Sequence, residues 1–463
     1  MVLQGFAVVN LLFFLVCLFA FMQRKTNWLA IMLVGSSALT GIVSFAGTVW
    51  MPQKIVALFC FLYVFYDPGI LKRCGGEVLQ RCNLVGFCIA ISLASAYVLA
   101  PSSGTGSSGL QSSFLRPIVQ CYAYVSAIGV FAFIVGYATD RDRATSLMAV
   151  FFWTVSAAVA VAWIHFVFLK LGRPFLPIPR FGGGESAMAA FGESGTIVKR
   201  VYGFSGEPKH LATLILPGIF LQLFYYLVPG DRYISRNIAL YALLFTFPVL
   251  VLTYSTSAFA SLAVGLFIIG TLSVFVRPEI TSRLLAISLV GAVVLILAVL
   301  FSESAMESMA TRVQTRSIQR ITNQYDQRLE YKALEYIVQE CPEGSLFGLG
   351  PGMATYHGIG TVSRRSGVQA MTSTWITMIV DIGVFGTIAF FALLVDPMKK
   401  GLSMLRSPYY SAAMAGAFGG FIGAGVAGIA TGSLYLVMMF AAIITCLHRA
   451  HLCSTLGRRH ASI

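Results

Sequence analysis

Charge is what this sequence has least of. Asp, Glu, Lys and Arg make up 11% of its 463 residues, and only 18 residues are acidic, against about a quarter charged in a typical soluble domain. A water-soluble enzyme is excluded on that ground. Also missing is the apolar–polar alternation of barrel strands. The apolar runs are continuous over about 20 positions, which excludes an outer-membrane β-barrel and specifies membrane-spanning helices. A disordered chain is excluded by what fills those runs: 36 Phe, 19 Tyr and 44 Gly in a chain that is 57% hydrophobic, at a mean hydropathy of +0.81. The cysteines number 9, an odd count found mostly in apolar runs, so no disulfide framework is expected.

What is present is an all-α, polytopic helical bundle of about 12–14 transmembrane helices, read from apolar windows of about 20 residues. The windows fall at 5–22, 28–46, 53–66, 84–100, 118–138, 145–169, 208–228, 237–254, 258–276, 284–301, 373–394, 410–427 and 431–447. The third is short enough to tilt or re-enter. The first lacks a basic lead and is followed by Gln23-Arg24-Lys25 rather than small residues, so it reads as an uncleaved helix. Alternating the connections puts Arg24, Lys25, Lys72, Arg73, Arg81, Arg141, Arg143, Arg232, Arg236, Arg277, Arg283, Lys399, Lys400, Arg406, Arg449, Arg458 and Arg459 on one side. The short loops of the other side hold only Arg116, with Lys54 just inside a span. The positive-inside rule then gives an outer N-terminus and an inner C-terminus. The expected organisation is 1–169 as N-terminal spans, 170–209 as a first large outer loop, 210–301 as middle spans, 302–372 as a second large outer loop with amphipathic helices, 373–447 as C-terminal spans and 448–463 as an inner tail. The Gly/Ser-rich stretch at 101–113 has the composition of a connector.

The two large outer loops break the charge rule. One carries Lys170, Arg173, Arg180, Lys199, Arg200 and Lys209, and the other Arg312, Arg316, Arg320, Arg328, Lys332, Arg364 and Arg365. Pairing with nearby carboxylates and lipid headgroups would account for many of them. In the first loop Lys199, Arg200, Lys209 and His210 flank Glu207-Pro208, which is either a plain helix start or a helix N-terminus where backbone N–H groups and cations together hold a phosphate. In the second, helices are expected near 304–318 and 324–340, with Leu329, Leu334, Ile337 and Val338 on one face. Arg312, Arg316 and Arg320 recur every fourth residue and form one stripe, solvated or ligand-facing. Gly344, Gly348, Gly350 and Gly352 follow, in a turn that is tight or approaches a ligand closely.

In order along the chain, four segments resemble those of the O-antigen polymerase and ligase superfamily of bacterial membrane glycosyltransferases. Arg200-Val-Tyr-Gly203-Phe-Ser-Gly-Glu207-Pro208 is similar to its R-x-x-G-x-x-x-x-P segment. Leu252-Thr-Tyr-Ser255-Thr-Ser257 is similar to L-T-x-S-R, with Thr256 at the usual Arg position. Arg328, Ala333-Leu334 and Phe347-Gly-Leu-Gly-Pro-Gly352 resemble its R-x-x-x-W … G-x-G-P-G segment, and Asp381-Ile-Gly383-Val-Phe-Gly386 its acidic-x-Gly-x-x-Gly close. The likeness covers about 199–394. Ligases of the superfamily carry a His-Asn pair where Thr372-Ser373 stand here, so the polymerase branch is favoured.

The resemblance implies a GT-C-like fold in the bacterial inner membrane, periplasmic outer loops, and a metal-independent transfer of a growing glycan from undecaprenyl pyrophosphate to the next lipid-linked repeat unit. Donor and acceptor would both be undecaprenyl-pyrophosphate-linked oligosaccharides, in contact with membrane lipids and with a chain-length regulator and flippase as further partners; no nucleic acid is expected. No cofactor or metal is expected either, and no Asp-x-Asp pair lies in an outer loop to hold one. On this reading Arg200 and Arg328 clamp the pyrophosphate. Lys199, Lys209, Arg312, Arg316 and Arg320 assist, and Tyr202, Gly203, Gly350, Gly352 and Tyr356 contact substrate. Phe204, Tyr331, Tyr336 and Trp375 stand where sugars stack or where a membrane boundary anchors the fold. The base comes from His357, His210, Glu207, Asp326 or Glu330, while His165 reads as a packed, hydrogen-bonded residue. The alternatives are a ligase acting on lipid A core or protein, and a lipid-linked oligosaccharide flippase or exporter. The last would call for charged residues along its spans, which are nearly free of them.

Overall fold

The computed structural model describes residues 2–39, 43–45, 48–100, 114–173, 175, 189–191, 197–228, 232–276, 279, 329–359, 362–363, 367–368, 373–407, 410–429 and 432–461. Helices dominate: α1 (Val2–Met22), α2 (Thr26–Gly35), α3 (Pro52–Tyr66), α4 (Pro68–Cys74), α5 (Gly76–Val98), α6 (Arg116–Tyr137), α7 (Arg141–Lys170), α8 (Pro208–Leu227), α9 (Arg236–Leu252), α10 (Thr256–Val276), α11 (Leu329–Gln339), α12 (Pro342–Phe347), α13 (Thr374–Arg406), α14 (Ala412–Ala427) and α15 (Leu434–Ala461). Their starts follow local chemistry. Asp140, Ser235, Ser373 and Ser411 each accept the N–H of the third residue on, and prolines open α3, α4, α8 and α12.

Among the described residues 7 helices are long and apolar enough to cross a membrane: α5, α6, α7, α8, α10, α13 and α15. The pair α3–α4, bent by 91°, makes up to 8, and α1, α9 and α14 contain shorter apolar helices. The chain is thus a multi-pass helical membrane protein. Every window read from the sequence holds a helix except 284–301, which lies outside the described residues. The window at 28–46 is a correction. Its helix stops at Gly35, a 3-10 turn covers Ser36–Ala38, and a hairpin pairs Val43–Phe45 with Thr48–Trp50. Gly35-Ser36-Ser37 and the β-branched residues that follow disfavour helix, so hydropathy overstated its length. Two more short hairpins, Ala189–Phe191 with Ile197–Lys199 and Val362–Ser363 with Gly367–Val368, complete the β structure of the described residues.

The core explains why so much Phe and Gly occur together. Phe131, Phe133, Phe151, Phe152, Phe220, Phe390, Phe418 and Phe440 are fully buried. In lipid, helices gain little from burying apolar surface and associate through close packing, which small residues permit. A Cβ at Gly416, Gly419, Gly420 or Gly423 of α14 would lie within 2.3–2.7 Å of Tyr225, Phe224, Phe440 or Phe220 respectively. Rings of α8 and α15 therefore sit against the backbone of α14. Outward-facing aromatics such as Phe267 (74% exposed) and Phe275 (76%) are left to meet acyl chains.

Basic side chains gather at one end of the bundle. Arg73 Nε donates to Gly136 O (2.7 Å), Arg449 Nη1 to Arg73 O (3.1 Å), and Arg81 lies 3.5 Å from Asp396. The opposite end is built around a broken helix. Inside α13, Gly383 adopts φ 70°, ψ 179°, and the turn after α12 seats itself in the gap. Leu349 N donates to Val380 O (2.8 Å) and Gly350 N to Asp381 O (3.1 Å), while Ser92 and Ser95 of α5 donate to Asp381 O (2.5 Å) and Gly348 O (2.6 Å). Carbonyls released by the break thus find partners where no water is present. Gly348, at φ 86°, has no room for a side chain, because a Cβ would stand 2.2 Å from Asp381 O. Gly348→Ala is expected to lower stability by about 2–4 kcal/mol, read as a fall in the thermal midpoint of the purified protein in detergent; an unchanged midpoint would contradict this packing.

Candidate active site at the end of the bundle opposite the basic cluster

The segment Arg200–Gly203 runs as a strap between two helices. On one side Val201 N donates to Leu252 O (3.2 Å), and the Arg200 guanidinium donates from Nε to Thr253 O (2.8 Å) and from Nη2 to Tyr254 O (3.4 Å), all at the end of α9. A cation there complements the negative helix end. On the other side His165 of α7 accepts the N–H groups of Tyr202 (3.2 Å) and Gly203 (3.3 Å) at Nδ1. Gly203 (φ 54°) then opens a 3-10 turn to Ser205, and Gly206 (φ 63°) turns the chain into α8.

Pro208 takes the first turn of α8, as its sequence position predicts. The Glu207 side chain makes no capping bond. Its carboxylate lies 3.2 Å from Lys209 Nζ and 3.7 Å from His210 Nε2. Beside this group the chain reverses between α9 and α10 through Tyr254, which holds the left-handed φ of 45°, and the Ser255 and Ser257 hydroxyls stand 3.1 Å apart. A small hollow lined by Lys209, Thr213, Ser255, Ser257, Ser261 and Ala427 joins the two segments. The first two motifs therefore meet.

The start of α13 adjoins this hollow through the end of α14. Thr374 N donates to Gly428 O (3.0 Å), Thr374 Oγ1 exchanges hydrogen bonds with Gly432, and Trp375 Nε1 donates to Gly425 O (3.0 Å). Glu330 at the head of α11 accepts the Ser373 N–H (3.4 Å), tying the second loop to the same helix end. Arg328 lies outside the described residues, as do Arg312, Arg316, Arg320 and Asp326, and as does the helix expected at 304–318. Lys199 ends a hairpin strand opposite Ala189.

The remaining predicted residues form a second cluster on the broken helix. Gly350 packs against Ala96, and Gly352 packs against Gln120 while its N–H donates to Asp381 Oδ1 (3.0 Å). Tyr124 OH donates to Asp381 Oδ2 (2.9 Å), and the Arg116 guanidinium lies 5.7 Å over the Tyr356 ring. These glycines shape the seat of the turn. His357 Nδ1 lies 3.1 Å from Tyr336 OH, and its Nε2 is buried without a hydrogen-bond partner among the described residues. The amphipathic face of α11 is also narrower than its sequence suggests. Ala333 and Ile337 are buried, whereas Val338, one residue or about 100° further round, is 67% exposed.

Among the described residues no group of 3 or more His, Cys, Asp or Glu is arranged to hold a metal ion. A scan against protein-family models and a search of curated proteins give no match to this chain. Sequence reasoning missed three features here: the two amides that His165 accepts, the Ser255–Ser257 pair, and Tyr124 on the Asp381 carboxylate. The last carried a signal, since Asp381 is an acid inside an apolar span.

Burial holds the His357 imidazole below its ordinary value of 6.5. A group with a lowered folded value contributes stability above its unfolded value and loses it as pH falls through the folded one. The thermal midpoint of the wild type is therefore expected to fall more steeply than that of His357→Phe as pH drops below about 6.5. Parallel curves would refute it.

Proposed function

We propose that this protein is a polysaccharide polymerase of the bacterial inner membrane. It transfers a growing glycan from undecaprenyl pyrophosphate to a hydroxyl of the next lipid-linked repeat unit, at the periplasmic face, where the end bearing the strap would lie. The observation that carries the reading is that two segments separated in sequence come together at the end of the bundle opposite the clustered basic residues: Arg200 is bonded to Thr253 O and Tyr254 O, and Lys209 lines one hollow with Ser255 and Ser257. The order of the four motifs supports it further.

The chemistry suits such a site. The donor's anomeric C–O bond breaks and its electron pair leaves with the lipid diphosphate, while the acceptor oxygen bonds to the same carbon and gives up its proton. A diphosphate is already a good leaving group, so the protein's part is to align two lipid-anchored substrates and to stabilise the charge that develops on phosphate oxygens. Arg200 suits this because a guanidinium keeps its charge at neutral pH and Thr253 and Tyr254 fix its place. Lys209 would add a second charge and the serine hydroxyls neutral donors. His210 beside Glu207 is the proton acceptor in this scheme, with the carboxylate stabilising the imidazolium. Arg328 completes the clamp, and Thr372-Ser373 in place of His-Asn favours polymer growth over ligation.

The test uses proteoliposomes of the purified protein and polyprenyl-diphosphate-linked oligosaccharides extracted from cells lacking it. A ladder of longer lipid-linked chains is expected. Arg200→Ala and Arg328→Ala should each reduce the ladder by about 100-fold or more at unchanged protein yield. Transport without bond formation would overturn the polymerase reading, and full activity in both variants would remove the clamp.

A further inference from the structure

The strap's second anchor is a histidine that the proposed chemistry leaves unused. His165 is 0% exposed, five residues before the Lys170 end of α7. Its ring lies against Phe175 (centroids 4.4 Å, 15° between planes) and edge-on to Tyr202 (4.1 Å). Because Nδ1 accepts two backbone N–H groups, the ring is neutral with its proton on Nε2. Only an acceptor at the δ position can serve two consecutive amides pointing at one atom, and those amides follow Arg200 by two and three residues. Gly203 fits the arrangement, since its φ of 54° lies in the left-handed region that favours glycine. Val201 is tied to α9 on the other side. The strap is thus held at both edges, and Arg200 stands immediately before the first tie.

We propose that His165 is a positioning residue for Arg200: its Nδ1 fixes the backbone of the strap, and thereby the place at which the guanidinium meets a diphosphate. The proposal rests on the reading of Arg200 as a diphosphate ligand, while its structural half stands apart from that reading. Sequence alone presents an apolar helix with one histidine, for which plain packing is the ordinary explanation. Packing alone, however, asks nothing of the δ nitrogen, and that difference is testable.

Asparagine places an oxygen acceptor where Nδ1 stands, glutamine places its polar atoms near Nε2, and alanine supplies neither. His165→Asn, His165→Gln and His165→Ala are compared with wild type in lipid nanodiscs. One readout is hydrogen–deuterium exchange of a peptide covering residues 200–206, and the other is turnover of the lipid-linked repeat units. Losing the acceptor should speed exchange at Tyr202 and Gly203 by about tenfold or more. It should also cut kcat by about 10- to 100-fold, with KM changed less than about threefold, as expected when a group of the transition state is displaced. Asparagine should restore both readouts, and glutamine neither. The proposal is overturned by an asparagine variant as impaired as alanine, or by a glutamine variant that retains protection and turnover. Where alanine does not fold, the asparagine–glutamine contrast decides. If the wild type builds no ladder, the polymerase reading falls, and the exchange pattern still decides whether His165 positions the strap.

Discussion

A backbone carbonyl inside an apolar bundle has no water to accept from, and the far end of this protein is organised by that constraint. Gly383 interrupts α13 and frees the carbonyls of Val380 and Asp381 from their helical partners. The turn at Gly348–Gly352 supplies N–H groups to both, and Ser92 adds a hydroxyl to the second. Each partner exists only because of the other. The Asp381 side chain extends the arrangement to Gly352 and Tyr124, so that α6, α12 and α13 are joined at one polar node in apolar surroundings. Such a node costs more to leave half satisfied than to omit, and here the two carboxylate oxygens each have a donor.

The strap at Arg200–Gly203 solves the same problem differently. It crosses from α7 to the end of α9 with its polar groups bonded to a buried imidazole on one side and to helix-end carbonyls on the other. Charge enters the site already tethered. The Arg200 guanidinium is placed by the carbonyls of Thr253 and Tyr254 at the end of α9. Lys209 is tethered by a carboxylate, with Glu207 3.2 Å away.

Much of this was legible in the sequence. Apolar runs of helical length located the spans, because a long run of apolar residues has few other folds, and the Gly-rich motifs marked the places where backbone meets backbone. Legibility failed where local preference competed with hydropathy. At 28–46 hydropathy predicted one long helix, and Gly35-Ser36-Ser37 ended it early. It failed again where a role depends on distant partners. Gly350 and Gly352 read as a tight turn or a close approach to a ligand, and that they face Ala96 and Gln120 was not visible; His165 read as a packed, hydrogen-bonded residue, as it is, but its two amide partners were not visible either. No local pattern encodes those pairings, since they join residues tens to hundreds of positions apart. Arg312, Arg316, Arg320 and Arg328 stay where the sequence left them, outside the described residues.

The glycine face of α14 bears on how this chain is made. A 16-residue helix is about 24 Å long, short of a hydrocarbon layer of about 30 Å. Its glycines also leave unpaired surface until rings from α8 and α15 fill them. Alone in a bilayer such a segment would be a poor occupant, so biogenesis has to keep α8, synthesised some two hundred residues earlier, within reach until α14 emerges. Late assembly of the centre around an early wall is the order that these side chains impose.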